Sequence, residues 1–302
     1  MVSQPSRSIR TLVGVAVLTA GVAVGGGAAS AGNDKPDDPL RIMVTNDDGW
    51  QAEGITAVYD ALVAAGYDVT MVAPAGNQSG MGGRVTLTGP LVVSQPEAGK
   101  FAVEGTPADA TEFGLSTLYA GEPPDLVISG TNIGQNIAAA EIHSGTVAAA
   151  ATSLNEGVPA IAVSTEVPVG SAVGEPDFAG TADFTVELVE ELDERSRGGA
   201  LLPEGLGLNV NYPLVTEGET LGDAVLVNTG TGFLDGTYEG AIPGVGESTD
   251  FEIVLTLKPE TVADSDTEAL ADNNITITPI NGNYDAGRTD SLIRRVVKSL
   301  NK

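Results

Sequence analysis

From Leu40 onward, short apolar runs alternate with stretches of helical spacing. The run Arg41-Ile42-Met43-Val44 predicts a buried strand, and it ends in the polar loop Thr45-Asn46-Asp47-Asp48-Gly49. Ile55, Val58, Leu62 and Ala65 then recur at three- and four-residue spacing, which predicts a helix closed by Gly66 as its C′ residue. A second strand follows at Asp68–Ala73, completing a βαβ unit with a right-handed crossover. Further along, Asp125–Ser129 predicts a strand, Thr146–Asn155 an alanine-rich helix stopped at Gly157, and Ala160–Ser164 another strand. This alternation predicts an α/β, Rossmann-like fold: an open, mostly parallel sheet with helices on both faces.

The second half is less regular. Leu206–Tyr212, Ala224–Asn228, Phe251–Leu257 and Ile275–Ile280 predict strands with few helical stretches between them, and these read as C-terminal antiparallel extensions. Asp290–Leu300 carries an apolar side opposite Arg294, Arg295 and Lys298, the pattern of an amphipathic terminal helix. The domain plan is a core over 40–213 and an extension that serves oligomer contacts over 214–302.

The N-terminus has a different character. Arg7 and Arg10 precede an uncharged run from Thr11 to Ala29, and Ala29-Ser30-Ala31 is a small-x-small cleavage site. Residues 1–31 therefore read as a secretory signal peptide, with an uncleaved membrane anchor as the alternative reading, and 32–39 as a polar linker with two prolines. The expected location is extracellular, with no membrane attachment after cleavage.

Composition removes several chemistries. The chain has 302 residues, no cysteine and one histidine, so thiolate nucleophiles and zinc sites built on several imidazoles are excluded. A formal net charge of −27 argues against a nucleic-acid partner, because the phosphate backbone would be repelled at long range. What remains is chemistry on oxygen groups.

In an open α/β sheet the ligand site lies beyond the carboxyl ends of the strands, and three loops placed there are unusual. Asp47 and Asp48 are adjacent carboxylates after the first strand. They repel unless a cation or a helix N-terminus offsets the charge, which suggests a metal; an Asx turn capping the next helix is the alternative reading. The loop Ala73–Gly80 offers the neutral oxygen of Ser79, although serine and glycine are ordinary turn residues. The loop Ser129–Asn136 offers amide oxygens, and His143-Ser144-Gly145-Thr146 opens the alanine-rich helix. Unpaired N–H groups at that helix start suit phosphate, while a plain N-cap is the alternative. Two carboxylates, a hydroxyl and an amide fit Mg²⁺, Mn²⁺ or Ca²⁺ better than zinc. Such a cation beside a helix N-terminus is the makeup of a phosphomonoesterase.

These segments resemble the SurE survival-protein family of metal-dependent 5′/3′-nucleotidases and acid phosphatases. The matching stretches are RIMVTNDDGWQAEGI, VAPAGNQSG, VEGTPADAT, LVISGTNIGQN and HSGTVAAAT, with weaker echoes at LNVNYP and ITITPI. By position, the resemblance implies metal ligands at Asp47, Asp48, Ser79 and Asn132, with the two aspartates also catalytic. It places Ser144, Gly145 and Thr146 on the phosphate side, with Asn46, Gly49 and Asn136 beside the cavity. It also implies nucleoside monophosphate substrates and homodimers or homotetramers assembled through the C-terminal extension. One departure is IAAAEIH before Ser144, where many members have paired acids and a tyrosine; His143 stands at the tyrosine position, as a substrate contact or a neutral rim residue. Two other classes remain for comparison. A Rossmann-type nucleotide-binding module requires a glycine-rich turn where NDDG stands, and an extracellular cation-binding protein would lack turnover altogether.

Overall fold

The computed structural model describes residues 39–169, 174–232, 234–283, 295 and 298. The leader, the linker up to residue 38 and the terminal helix expected at Asp290–Leu300, apart from Arg295 and Lys298, lie outside the described residues.

In chain order the elements are β1 (Arg41–Thr45), α1 (Glu53–Ala64), β2 (Asp68–Pro74), β3 (Val93–Glu97), β4 (Lys100–Val103), α2 (Pro107–Phe113), β5 (Leu126–Ile133), α3 (Gly145–Asn155), β6 (Ala160–Thr165), α4 (Phe178–Ser196), β7 (Leu206–Tyr212), β8 (Ala224–Leu226), β9 (Leu234–Glu239), β10 (Glu252–Leu257), α5 (Asp266–Ala271) and β11 (Ile275–Asn281). Nine strands form one sheet in the order β3-β4-β2-β1-β5-β6-β7-β11-β8, while β9 and β10 pair as a separate ribbon. From β4 to β7 every pairing is parallel; β3 and β11 run antiparallel to their neighbours β4 and β7. The fold is α/β and mostly parallel, as the alternation of patterns predicts.

Period-two alternation sorts the strands' side chains onto two cores. Ile42 and Val44 of β1, Leu126 and Ile128 of β5, and Ile161 and Val163 of β6 pack with Ile55, Val58 and Leu62 of α1 and Ala182 and Val189 of α4. On the other face, Met43, Val127, Ala160 and Ala162 meet Ala110 of α2 and Ala150 and Leu154 of α3. Each fully buried aliphatic side chain contributes about 1.5–3 kcal/mol relative to exposure.

The sequence pattern misses α4, a helix of 19 residues. Its buried face includes Thr181, Thr185 and Asp193, so an apolar count at helical spacing falls short. Strands β3 and β4 are also unforeseen, because β3 is mostly exposed and carries little apolar signal.

The chain leaves β1 toward β2 and β4, then returns on the other side of β1 as β5. The connections from β1 and β5 therefore depart in opposite directions, opening a crevice at their carboxyl ends. The loop carrying Asp47 and Asp48 begins there, and Asn132 lies at the end of β5.

Candidate metal and phosphate site

The acid pair follows β1 in a turn held by Asn46. Its Nδ2 donates to Gly49 O at 3.0 Å and its Oδ1 accepts from Gly49 N at 3.2 Å. Asn46 is fully buried, and its amide closes the turn on both sides. Gly49 takes φ +104° and backs onto Gly76.

Asp47 points at the start of α3. Its Oδ1 accepts from Thr146 Oγ1 at 2.6 Å, and its carboxylate also receives a backbone hydrogen bond from Gly145. The approach depends on glycine, since a Cβ at residue 145 would lie 2.7 Å from Asp47 Cβ. Ser144 caps the same helix, its side chain accepting from Val147 N at 3.1 Å. The phosphate-side trio is thus partly committed: the Ser144 oxygen to the cap, Gly145 and the Thr146 hydroxyl to Asp47. The positive end of α3 meets the carboxylate directly, which orients Asp47 and offsets its charge.

Asp48 is held from the other side. Its Oδ2 accepts from Ile133 N at 3.0 Å and its Oδ1 from Asn77 Nδ2 at 3.3 Å. Burial pushes Asp47 above the ordinary carboxylate range; burial pushes Asp48 up to about 6, the Asp47 charge adding to it and the Ile133 N–H opposing it. Two desolvated carboxylates side by side are the environment in which a cation is most effective.

The neutral donors come from the neighbouring strand ends. The loop bearing Ser79 is tied to the acid pair through Gln78 N, which donates to Asp47 O at 2.7 Å, and Ser79 itself is exposed beside it. Asn132 precedes Ile133, and its Nδ2 turns to Gly134 O at 2.7 Å, leaving its carbonyl oxygen as the available acceptor. Among the described residues no three His, Asp or Glu side chains come together, so neutral oxygens are needed to complete a cation's shell. Two carboxylates with hydroxyl and amide oxygens, free of imidazole, are a donor set that fits a hard dication.

Behind the site runs a network of asparagines. Asn136 donates from its backbone to Asn211 Oδ1 at 2.7 Å and from Nδ2 to Ser164 Oγ at 2.9 Å, while its carbonyl accepts from Asn209 and Asn211. Asn136 is buried in that role. Asn209 and Asn211 were not among the expected site residues, although two asparagines two apart within the strand LNVNYP are the signal that could have revealed them. His143 is exposed at the end of a short 3₁₀ segment, Ala138–His143.

A family model described as survival protein SurE matches residues 42–231. The chain belongs to the SurE family. Relatives named 5′-nucleotidase SurE include one from Gloeobacter violaceus, 36% identical over 247 residues, covering 80% of this chain and 89% of the relative. Another, from Microcystis aeruginosa, is 35% identical and covers 82% of this chain and 93% of its own length. The crystal structure of the SurE protein from Aquifex aeolicus superposes with a TM-score of 0.70 at 27% identity, covering 87% of this chain and all of that one. The SurE match spans the acid pair, the Ser79 loop, Asn132 and the start of α3, and it stops before β9.

Proposed function

We propose that this chain is a secreted, divalent-cation-dependent phosphomonoesterase that hydrolyses nucleoside monophosphates to nucleoside and phosphate. The observation that carries the reading is the meeting of Asp47 with the α3 N-terminus beside Asp48, where the β1 and β5 connections diverge. The names of the relatives favour 5′ phosphates. Asp47, Asp48, Ser79 and Asn132 are the residues we assign to a Mg²⁺ or Mn²⁺ ion. When bound, the ion supplies positive charge for the phosphoryl oxygens and makes water easier to deprotonate.

The chain's own groups then have distinct tasks. Thr146 and Gly145 orient Asp47, our candidate for taking the proton from the attacking water. Ile133 and Asn77 orient Asp48. Water adds to phosphorus, the ester P–O bond breaks, and the alcohol leaves with a proton. Export rests on the leader, and N-terminal sequencing of the mature protein should begin near Gly32. A homodimer or homotetramer is the assembly we assign to the C-terminal extension.

The test is replacement of Asp47 and Asp48 by Asn, singly, assayed on p-nitrophenyl phosphate and a nucleotide panel with Mg²⁺ or Mn²⁺. Each change is expected to lower kcat/KM by about 10²-fold or more, and chelator to abolish turnover. Full activity in both variants refutes the assignment. Calorimetric cation binding with no phosphate released from any monophosphate would replace it with a non-catalytic binding role.

A further inference from the structure

The 3₁₀ segment that leads into the phosphate-side turn carries a carboxyl group that the chemistry above does not use. Glu141 lies in that segment, where its backbone carbonyl accepts from Ser144 N at 3.2 Å. Its side chain bridges two other parts of the chain: Oε1 accepts from Asn209 Nδ2 of β7 at 2.8 Å, and Oε2 from Thr229 Oγ1 at 3.3 Å. The same Asn209 nitrogen donates to Asn136 O at 2.7 Å. At the opposite end of the segment, Ala138 N donates to Asp266 Oδ2 at 2.9 Å. The stretch from Asn136 to Ser144 is therefore fastened at both ends, and Glu141 is the fastening nearest α3.

We propose that Glu141 is a positioning residue for the Ser144–Thr146 turn: by joining the 3₁₀ segment to β7 and to Thr229, it sets where the α3 N-terminus, and with it Asp47, stands. This rests on the phosphatase reading of that turn. A displacement of about 1 Å at such a turn is enough to cost a large fraction of turnover.

The two protonation states of Glu141 do this unequally. Burial pushes the carboxyl up to about 7; the Asn209 hydrogen bond opposes that rise, the Asp266 charge adds to it, and Thr229 opposes it. Among the described residues Asp266, at the start of α5, is the charged group facing it. Asn209 of β7, Thr229 and the α3 residues Val147, Ala148, Ala151 and Thr152 are neutral, and His143 on its own segment is exposed. Protonation turns the Thr229 contact round, Oε2–H donating to Thr229 Oγ1 while Oε1 still accepts from Asn209, whereas the ionised form accepts from both and faces Asp266 with no countercharge. Because the folded value lies above the ordinary 4.5, the stabilisation is complete below 4.5 and is lost as pH rises through about 7. A cavity of about 430 Å³, which Glu141 lines with Ile142, Thr229 and Ile280, gives protons a path to the group.

The test is the pH profile of kcat/KM from 5 to 9 on p-nitrophenyl phosphate at fixed Mg²⁺, for the wild type, Glu141→Gln and Glu141→Ala, with urea midpoints measured alongside. The wild type is expected to lose stability between pH 5 and about 7, with the urea midpoint level above that, and to lose activity as pH rises through about 7. Glu141→Gln holds the neutral pairing at every pH, so its alkaline limb should move up by about one pH unit or more and its urea midpoint should stop falling. Glu141→Ala should lower kcat roughly tenfold while KM changes far less. Should the alanine variant fail to fold, the glutamine profile decides. An active wild type whose alkaline limb and midpoint are matched by Glu141→Gln overturns the positioning role alone, whereas an inert wild type overturns the functional reading beneath it.

Discussion

Strands β6 and β10 are both rich in aliphatic residues, yet the molecule treats them in opposite ways. All six residues of β6 are buried, with a strand on either side and a helix on each face. In β10, Ile253, Leu255 and Leu257 project from one face of the two-stranded ribbon at 64, 61 and 74% exposure. The difference teaches that an apolar strand states only that it needs cover, not where the cover comes from. For β6 it is the chain's own α3 and α4 side. For the ribbon, which is too small to be stable on two strands alone, the cover we propose is a second copy of the chain. The division also follows the family match, which covers β6 and ends before the ribbon.

Substitutions can sharpen this contrast. The largest effect on folding is expected in the sheet, where Ile128→Ala should lower stability by about 2–5 kcal/mol in urea denaturation, since its side chain is fully enclosed. A cost under about 1 kcal/mol there would mean the core is looser than its packing implies. Next comes Gly145→Ala, where the added methyl meets Asp47; a loss of about 1–3 kcal/mol, with a raised KM for phosphate esters, is expected. Unaltered binding and stability would show that the helix tip has room to retreat. The smallest folding effect belongs to Ile253→Asp combined with Leu255→Asp, below about 0.5 kcal/mol when read at submicromolar protein. Sedimentation velocity should instead register a smaller assembly, and an unchanged sedimentation coefficient would remove the ribbon from the oligomer contact.

The parts of the site legible in the sequence are those where an apolar strand stops abruptly at a polar loop. NDDG after β1, NQSG after β2 and SGTN at the end of β5 are local signals, and the α/β alternation brings all three to one edge. The contact that organises them is not local: Thr146 and Asp47 are 99 residues apart, and no pattern within either segment names the other. Single-residue rarity draws attention to His143, which is exposed, while the half-buried carboxyl two positions earlier gives no periodic or compositional sign. Helix α4 was hidden for a related reason, because threonines serve as core residues when their hydroxyls return to the backbone, as Thr181 and Thr185 do.

Asp266 is fully enclosed and gathers the backbone N–H groups of Ala138, Gly230 and Thr267 around one carboxylate, while β11 just beyond it zips onto β7. A chain cut after Tyr212 would strand the Ala138 donor and bare the edge of β7 in a single stroke. The catalytic half is consequently not a transplantable cassette. Grafting or circular permutation must carry residues 264–281 with it, however remote they stand from the acid pair in the primary structure.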